Sequence, residues 1–237
     1  MRIALVFWWT MTALLMWTAL KPTIFPSPIE VVAVYPSLLT DGLLEAIWSS
    51  LVVNLESIVL SSLIGLPLCY LSRLPLLSPV VGFVATLRFV GPAVFFLPLL
   101  FLMPTGHLVK VSLITLGMTA YLVTTMAGIV QNIPEYRFDD ARTLRMSEWK
   151  SIWYVVIRGT LAEACEAVRD NAAIGWSMLM FVEGVIRSEG GVGVMMYNMD
   201  KHVEFASVYA IAIIILMVGI CQDWFMTTIK KVMCPYA

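Results

Sequence analysis

Long apolar runs separated by short polar joints organise this 237-residue chain. Crossing a hydrocarbon core as a helix takes about 20 apolar residues, because backbone groups that find no water there must bond within the segment. Runs of that length predict crossings at about 3–20, 51–71, 80–103, 108–130, 164–186 and 205–229, the fifth less clean than the others. The pattern therefore predicts an all-α integral membrane protein, one domain over 1–237 with about six transmembrane helices. The first run invites a second reading as a secretory signal, since Arg2 precedes it. It exceeds a usual signal core and no A-x-A site follows, so it reads as an uncleaved anchor.

Composition agrees with lipid as the solvent. The chain is 60% hydrophobic and 13% charged, with a mean hydropathy of +0.88, against about 25% charged residues in soluble domains. A net charge of −1 offers no basic field for a polyanion, so nucleic-acid binding is not expected. Orientation follows from lysine and arginine placement. With both termini cytoplasmic, Arg2, Arg73, Arg137, Arg142, Arg145, Lys150, Arg158, Lys230 and Lys231 fall inside, whereas only Lys21, Lys110, Arg187 and Lys201 fall outside. That asymmetry predicts both ends in the cytoplasm.

Motifs for chemistry on this chain are missing from the sequence. Cys69, Cys165, Cys221 and Cys234 form no C-x-x-C pair, and His107 and His202 are isolated from them, so neither a disulfide framework nor a metal site is expected. No phosphate loop, G-x-G-x-x-G or G-x-S-x-G occurs. Energy for transport would have to enter through a partner, and no cofactor is expected on the chain itself.

The remaining polarity concentrates between Gln131 and Asp170. Pro134 followed by Glu135 suits a helix start, with an acid favoured in the first turn by the helix dipole. Leu144 lies three residues beyond Ala141, and Ile152, Val155 and Val156 recur at helical spacing. A pair of short amphipathic helices at the membrane surface is predicted over 131–160. From charge alone, a solvated loop that merely enforces topology explains these residues equally well.

The order of the motifs adds to this. Asp139-Asp140-Ala141-Arg142-Thr143-Leu144-Arg145, followed after nine residues by Val155-Val156-Ile157-Arg158, resembles the E-A-A-x-x-x-G-x9-I-x-L-P loop of ABC-transporter permease subunits of the binding-protein-dependent importer type. Phe25-Pro26-Ser27-Pro28-x-Glu30-Val31, Phe181-Val182-Glu183 with Gly190-Gly191-Val192-Gly193, and Asp223 in the last run resemble the nitrate, sulfonate and taurine branch. The resemblance covers about residue 24 to the C-terminus. It implies a type I importer permease fold in a bacterial cytoplasmic (inner) membrane, with residues 131–160 seated as coupling helices in a cytoplasmic ATPase subunit. Asp139, Asp140, Arg142 and Arg145 would fix register there, Ala141 and Leu144 would allow close approach, and Glu135 at the helix start belongs to the same coupling loop. It further implies two such ATPase subunits carrying ATP and Mg, a second permease subunit, most simply as a homodimer, an extracytoplasmic solute-binding protein, and a small anion as solute.

Two positions depart from the family pattern. Arg145 stands where the family has glycine, and Ile157-Arg158 where it has Leu-Pro. Glycine accepts positive φ without steric cost, so arginine there predicts a different turn or a helix that runs on.

Within the crossings, three residues are candidates for the translocation path. Arg88, just before Gly91-Pro92, either lines the path and attracts an anion or sits at the cytoplasmic headgroups of a span that starts near Phe89. Pro92, with Pro98 and Pro104, predicts an irregular helix facing the interior, where protein or water covers the freed carbonyls. Glu183, near the outer end of the fifth run, either gates the outer mouth or marks the helix end. Asp223 is expected to pair with a base or cap backbone near the cytoplasm, and Met195 and Met196 to fill core. The rivals are a membrane-embedded enzyme using Glu183, which lacks a second convergent catalytic group, and a passive channel or assembly subunit without an ATPase.

Overall fold

The computed structural model describes residues 8–12, 26–73 and 77–234. The first predicted crossing lies outside these residues except for 8–12, which are helical. Chain entry is set by a capping box. The Ser27 amide donates to the Glu30 carboxylate at 3.0 Å and the Glu30 amide donates to the Ser27 hydroxyl at 3.3 Å, opening α1 (Pro28–Ala33) with a proline in its first turn. α2 (Tyr35–Thr40) follows, and Val31 and Leu38 pack with Val192, Ala210 and Ile211.

Gly42, at φ 86°, turns the chain into α3 (Leu43–Tyr70). α4 (Ser78–Thr86) leads through a 3₁₀ turn to Gly91 at φ 71°, then a second 3₁₀ turn begins at Pro92 and continues into α5 (Phe96–Leu102). The two halves of this third expected crossing bend by 98° at the break. The irregularity predicted from the prolines is present. Its expected orientation holds for one face only: Phe95, Phe96 and Leu99 pack inward, whereas Leu97 and Phe101 are exposed.

α6 (Gly106–Gln131), capped by the Thr105 hydroxyl, is the central helix. α3 and α9 (Leu161–Val185) pack along it, and α11 (Phe205–Met233) packs on α9. α7 (Glu135–Thr143), α8 (Glu148–Ser151) and a π-helical turn over Ile152–Ile157 close one end of the bundle. α10 (Val192–Lys201) lies across the other. α3, α6 and α11 are each long and apolar enough to cross a membrane, and the bent pair would make a fourth span. α9, at 25 residues, has the length but carries Glu163, Glu166, Arg169, Asp170 and Glu183. Its buried stripe, with Ala164, Ala167, Ala172, Gly175 and Leu179, lets neighbouring backbones come close.

Candidate functional site

The polar loop is a real element with its own backbone logic. α7 ends in a Schellman motif: the Met146 amide donates to the Ala141 carbonyl at 3.0 Å and the Arg145 amide to the Arg142 carbonyl at 2.9 Å. Arg145 itself adopts φ 50°. The expected different turn, or run-on helix, is therefore corrected. Arginine takes the left-handed conformation that glycine would take, at a steric cost of about 1–2 kcal/mol, because two closing hydrogen bonds hold it. Downstream, the Arg158 amide reaches back five residues to the Trp153 carbonyl at 3.0 Å, and its guanidinium lies over the Tyr154 ring at 5.6 Å. The widened turn accommodates Ile157-Arg158 without a proline.

Burial divides the loop into an inner and an outer face. Ile133, Ile152 and Val156 are buried against Tyr70, Met126 and Val130 at the ends of α3 and α6. Ala141 is 4% exposed, covered within the chain and not presented outward as its expected role in close approach would need. Glu135, Asp139, Asp140, Arg142, Leu144 and Arg145 are all exposed. Arg142 and Asp139 pair at 2.9 Å, three residues apart on one face. Tyr136, Trp149 and Trp153 are exposed beside them. The outer face thus combines both charge signs with large apolar rings, the composition of a surface built to be covered.

At the opposite end, Glu183 has no exposed surface. The Ser50 hydroxyl lies 2.8 and 2.9 Å from its two oxygens, and the Gly193 amide donates at 2.8 Å. Ser50 also accepts from the Val192 amide at 2.9 Å. A carboxylate at the N-terminus of α10 meets the positive end of the helix dipole and takes up free amides. Lys110 belongs to α6 and is 1% exposed, so it is not the loop residue of the charge count. Its Nζ donates to the Gly190 carbonyl at 2.6 Å.

Between the two ends runs a buried polar seam that the run-length reading missed. Ser50, Asn54, Ser57 and Ser61 of α3 are all fully buried, and their three-to-four-residue spacing, the signal that marks them, puts them on one face. Asn54 Nδ2 donates to Gln222 Oε1 at 3.2 Å, Trp176 Nε1 to the same oxygen at 2.7 Å, and Asn171 Nδ2 to Ser61 at 3.4 Å. These bonds tie α3, α9 and α11 together in place of hydrophobic contrast, which lipid does not supply. Asp223 pairs with Arg169 at 3.3 Å, as expected of it.

Arg88 stands at the bend after α4, exposed, with its guanidinium 4.7 Å from the Phe89 ring centroid. Pro92 opens the second 3₁₀ turn of that bend. Arg88, Pro92 and Glu183 are thus not gathered in one site: Glu183 is sealed in its own cluster. A separate cavity of about 640 Å³ lies between α4 and α6, lined by Ser72, Ser78, Gly82, Thr124, Gly128 and Gln131 among others. Among the described residues there is no cluster suited to a metal ion.

Comparison with known proteins agrees with this architecture. The chain is 24% identical to the taurine transport system permease protein TauC of Escherichia coli (strain K12), over all of this chain and 87% of the relative. It superposes on a chain of the MetNI methionine ABC transporter, solved in inward-facing conformations, with a TM-score of 0.62, covering 80% of this chain and 95% of that one at 15% identity. At that identity the match speaks for the fold. The model of the binding-protein-dependent transport system inner membrane component matches residues 57–233, most of the chain. By that match and the exposed loop at the end of its helical bundle, the chain belongs to this family of ABC-importer permeases, multi-pass membrane subunits that transport rather than catalyse and that work with ATPase subunits and a solute-binding protein.

Proposed function

We propose that this chain and a second copy form the path of an ATP-driven importer for a small anion, a sulfonate such as taurine being the leading class. The solute class rests on the likeness to TauC and on the bent third crossing, residues 78–102, which holds no acid and has Arg88 as its one charge, exposed. Two cytoplasmic ATPase subunits, which hold ATP and Mg, grip residues 131–160. Glu135, Asp139, Asp140, Arg142 and Arg145 set the register of that contact, and Leu144 enters the partner's groove. The loop faces the cytoplasm of a bacterial inner membrane, both termini lie on that side, and the solute-binding protein meets the outer segments around 21–48 and 187–204.

One observation carries the reading: the loop is held rigidly by buried apolar anchors and a closed turn while its charges stay exposed. A surface fixed in that way transmits displacement, because ordering on binding costs it little. Residues that merely enforced topology would need no such fixed geometry. Co-purification with the ATPase subunits tests it. Wild-type chain should retain them, and transport with no ATPase attached would refute the proposal and favour a passive channel. Cysteines placed over 137–150 should label from the cytoplasm only.

A further inference from the structure

One turn, Gly190 to Gly193, is held from three helices at once. Glu183 of α9 accepts from Gly193, Ser50 of α3 accepts from Val192 while donating to Glu183, and Lys110 of α6 donates to Gly190. Gly190 and Gly191 have φ of 67° and 118°, where a side chain is strained. A β-carbon on Gly191 would run into the Glu183 carboxylate, and one on Gly106 would meet Ser188 and Glu189. Gly191 and Gly193 are thus crowded by Glu183, whereas Gly190 faces open space.

The arrangement uses costly groups. Lys110 and Glu183 are opposite charges held on the two sides of this turn, at Gly190 and Gly193, and both are all but inaccessible. A buried pair of this kind contributes less net stability than apolar side chains of similar volume would, while losing one partner is strongly destabilising. Charges therefore serve here for direction: each fixes a backbone group at a defined point, which apolar packing does not do. Beyond the turn, Arg187, Ser188 and Glu189 are exposed.

We propose that Glu183 and Lys110 are positioning residues, a buried latch that makes the 186–193 turn and α10 move as one body with α3, α6 and α9, so that a load on the Arg187–Glu189 tip reaches the transport core. The load-bearing part rests on the reading above, in which the solute-binding protein meets this side. Glu183 on this account never touches solute. Its carboxylate is already filled by Ser50 and Gly193, and it works through the turn.

The test uses the full complex in liposomes, with ATPase subunits and binding protein, and a spin label attached from outside at Ser188→Cys. The unaltered latch should give an immobilised label. Glu183→Ala and Lys110→Met should mobilise it and cut binding-protein-stimulated ATP hydrolysis at least fivefold while basal hydrolysis stays within twofold. If Glu183→Ala does not insert, Ser50→Ala, which keeps both charges, should give the same changes. Lys110→Met with Glu183→Gln should lose less stimulation than the product of the single losses, since neither charge is then left unpaired. An immobile label in every variant, or a mobile label with full stimulation, would overturn the latch. If hydrolysis in the unaltered complex ignores the binding protein, the docking reading fails instead, and the label alone then decides whether the turn is locked.

Discussion

The two ends of the bundle treat polar groups in opposite ways. At one end Glu183 and Lys110 are buried and held within the chain by Ser50, Gly193 and Gly190. At the other, Asp139 and Arg142 are exposed and paired with each other. Buried charges with internal partners fix shape, since leaving one unpaired costs several kcal/mol. Exposed pairs contribute about 0–1 kcal/mol to folding, so their placement is open to another purpose. Both ends end a helix or start one at strained backbone, yet one strain is absorbed by glycine and the other by arginine.

Substitutions should separate these regimes, and the closed end should respond most. Gly191→Ala places a β-carbon against the Glu183 carboxylate at φ 118°, and should lower stability by about 3 kcal/mol, from backbone strain and overpacking together. A thermal melt in detergent would measure it, and an unchanged midpoint would break the contrast. Replacing Asp139 and Arg142 together by alanine should weaken ATPase association about tenfold, the size expected for polar groups within a covered interface, with folding stability altered by less than about 0.5 kcal/mol. Wild-type assembly after that change would remove the docking assignment. Arg145→Gly should stabilise the loop by about 1 kcal/mol by relieving its left-handed strain, and amide exchange at Met146 would report it as slower opening. At Arg88, the charge-reversed Arg88→Glu should reduce anion uptake with assembly intact; normal uptake would place Arg88 outside the path.

Legibility in the sequence followed the kind of physics involved. Apolar runs located α3, α6 and α11 because lipid demands length and continuity from any spanning helix. The Gly91-Pro92 break and the short helices of 131–160 were readable for a related reason: proline and glycine act locally through φ. The capping box at Ser27 and Glu30 also needs only neighbouring residues, yet that stretch was read for its family resemblance and not for its cap. The Arg145 turn escaped because propensity argues against arginine at positive φ, and hydrogen bonds from Met146 and Arg145 overrode it. Ala141 escaped because identity does not say which face of a short helix is supported from within.

The sequence by itself determined that this chain lives in a membrane, where its helices break, and which loop carries its exposed charge, since each is a property of consecutive residues. Only the tertiary structure decided that Ser50, Lys110 and Glu183 belong together, that Ala141 points inward, and that Arg169 finds Asp223. Those residues lie far apart along the chain, and what each costs or contributes depends on whether a partner from another helix reaches it in a place that water does not.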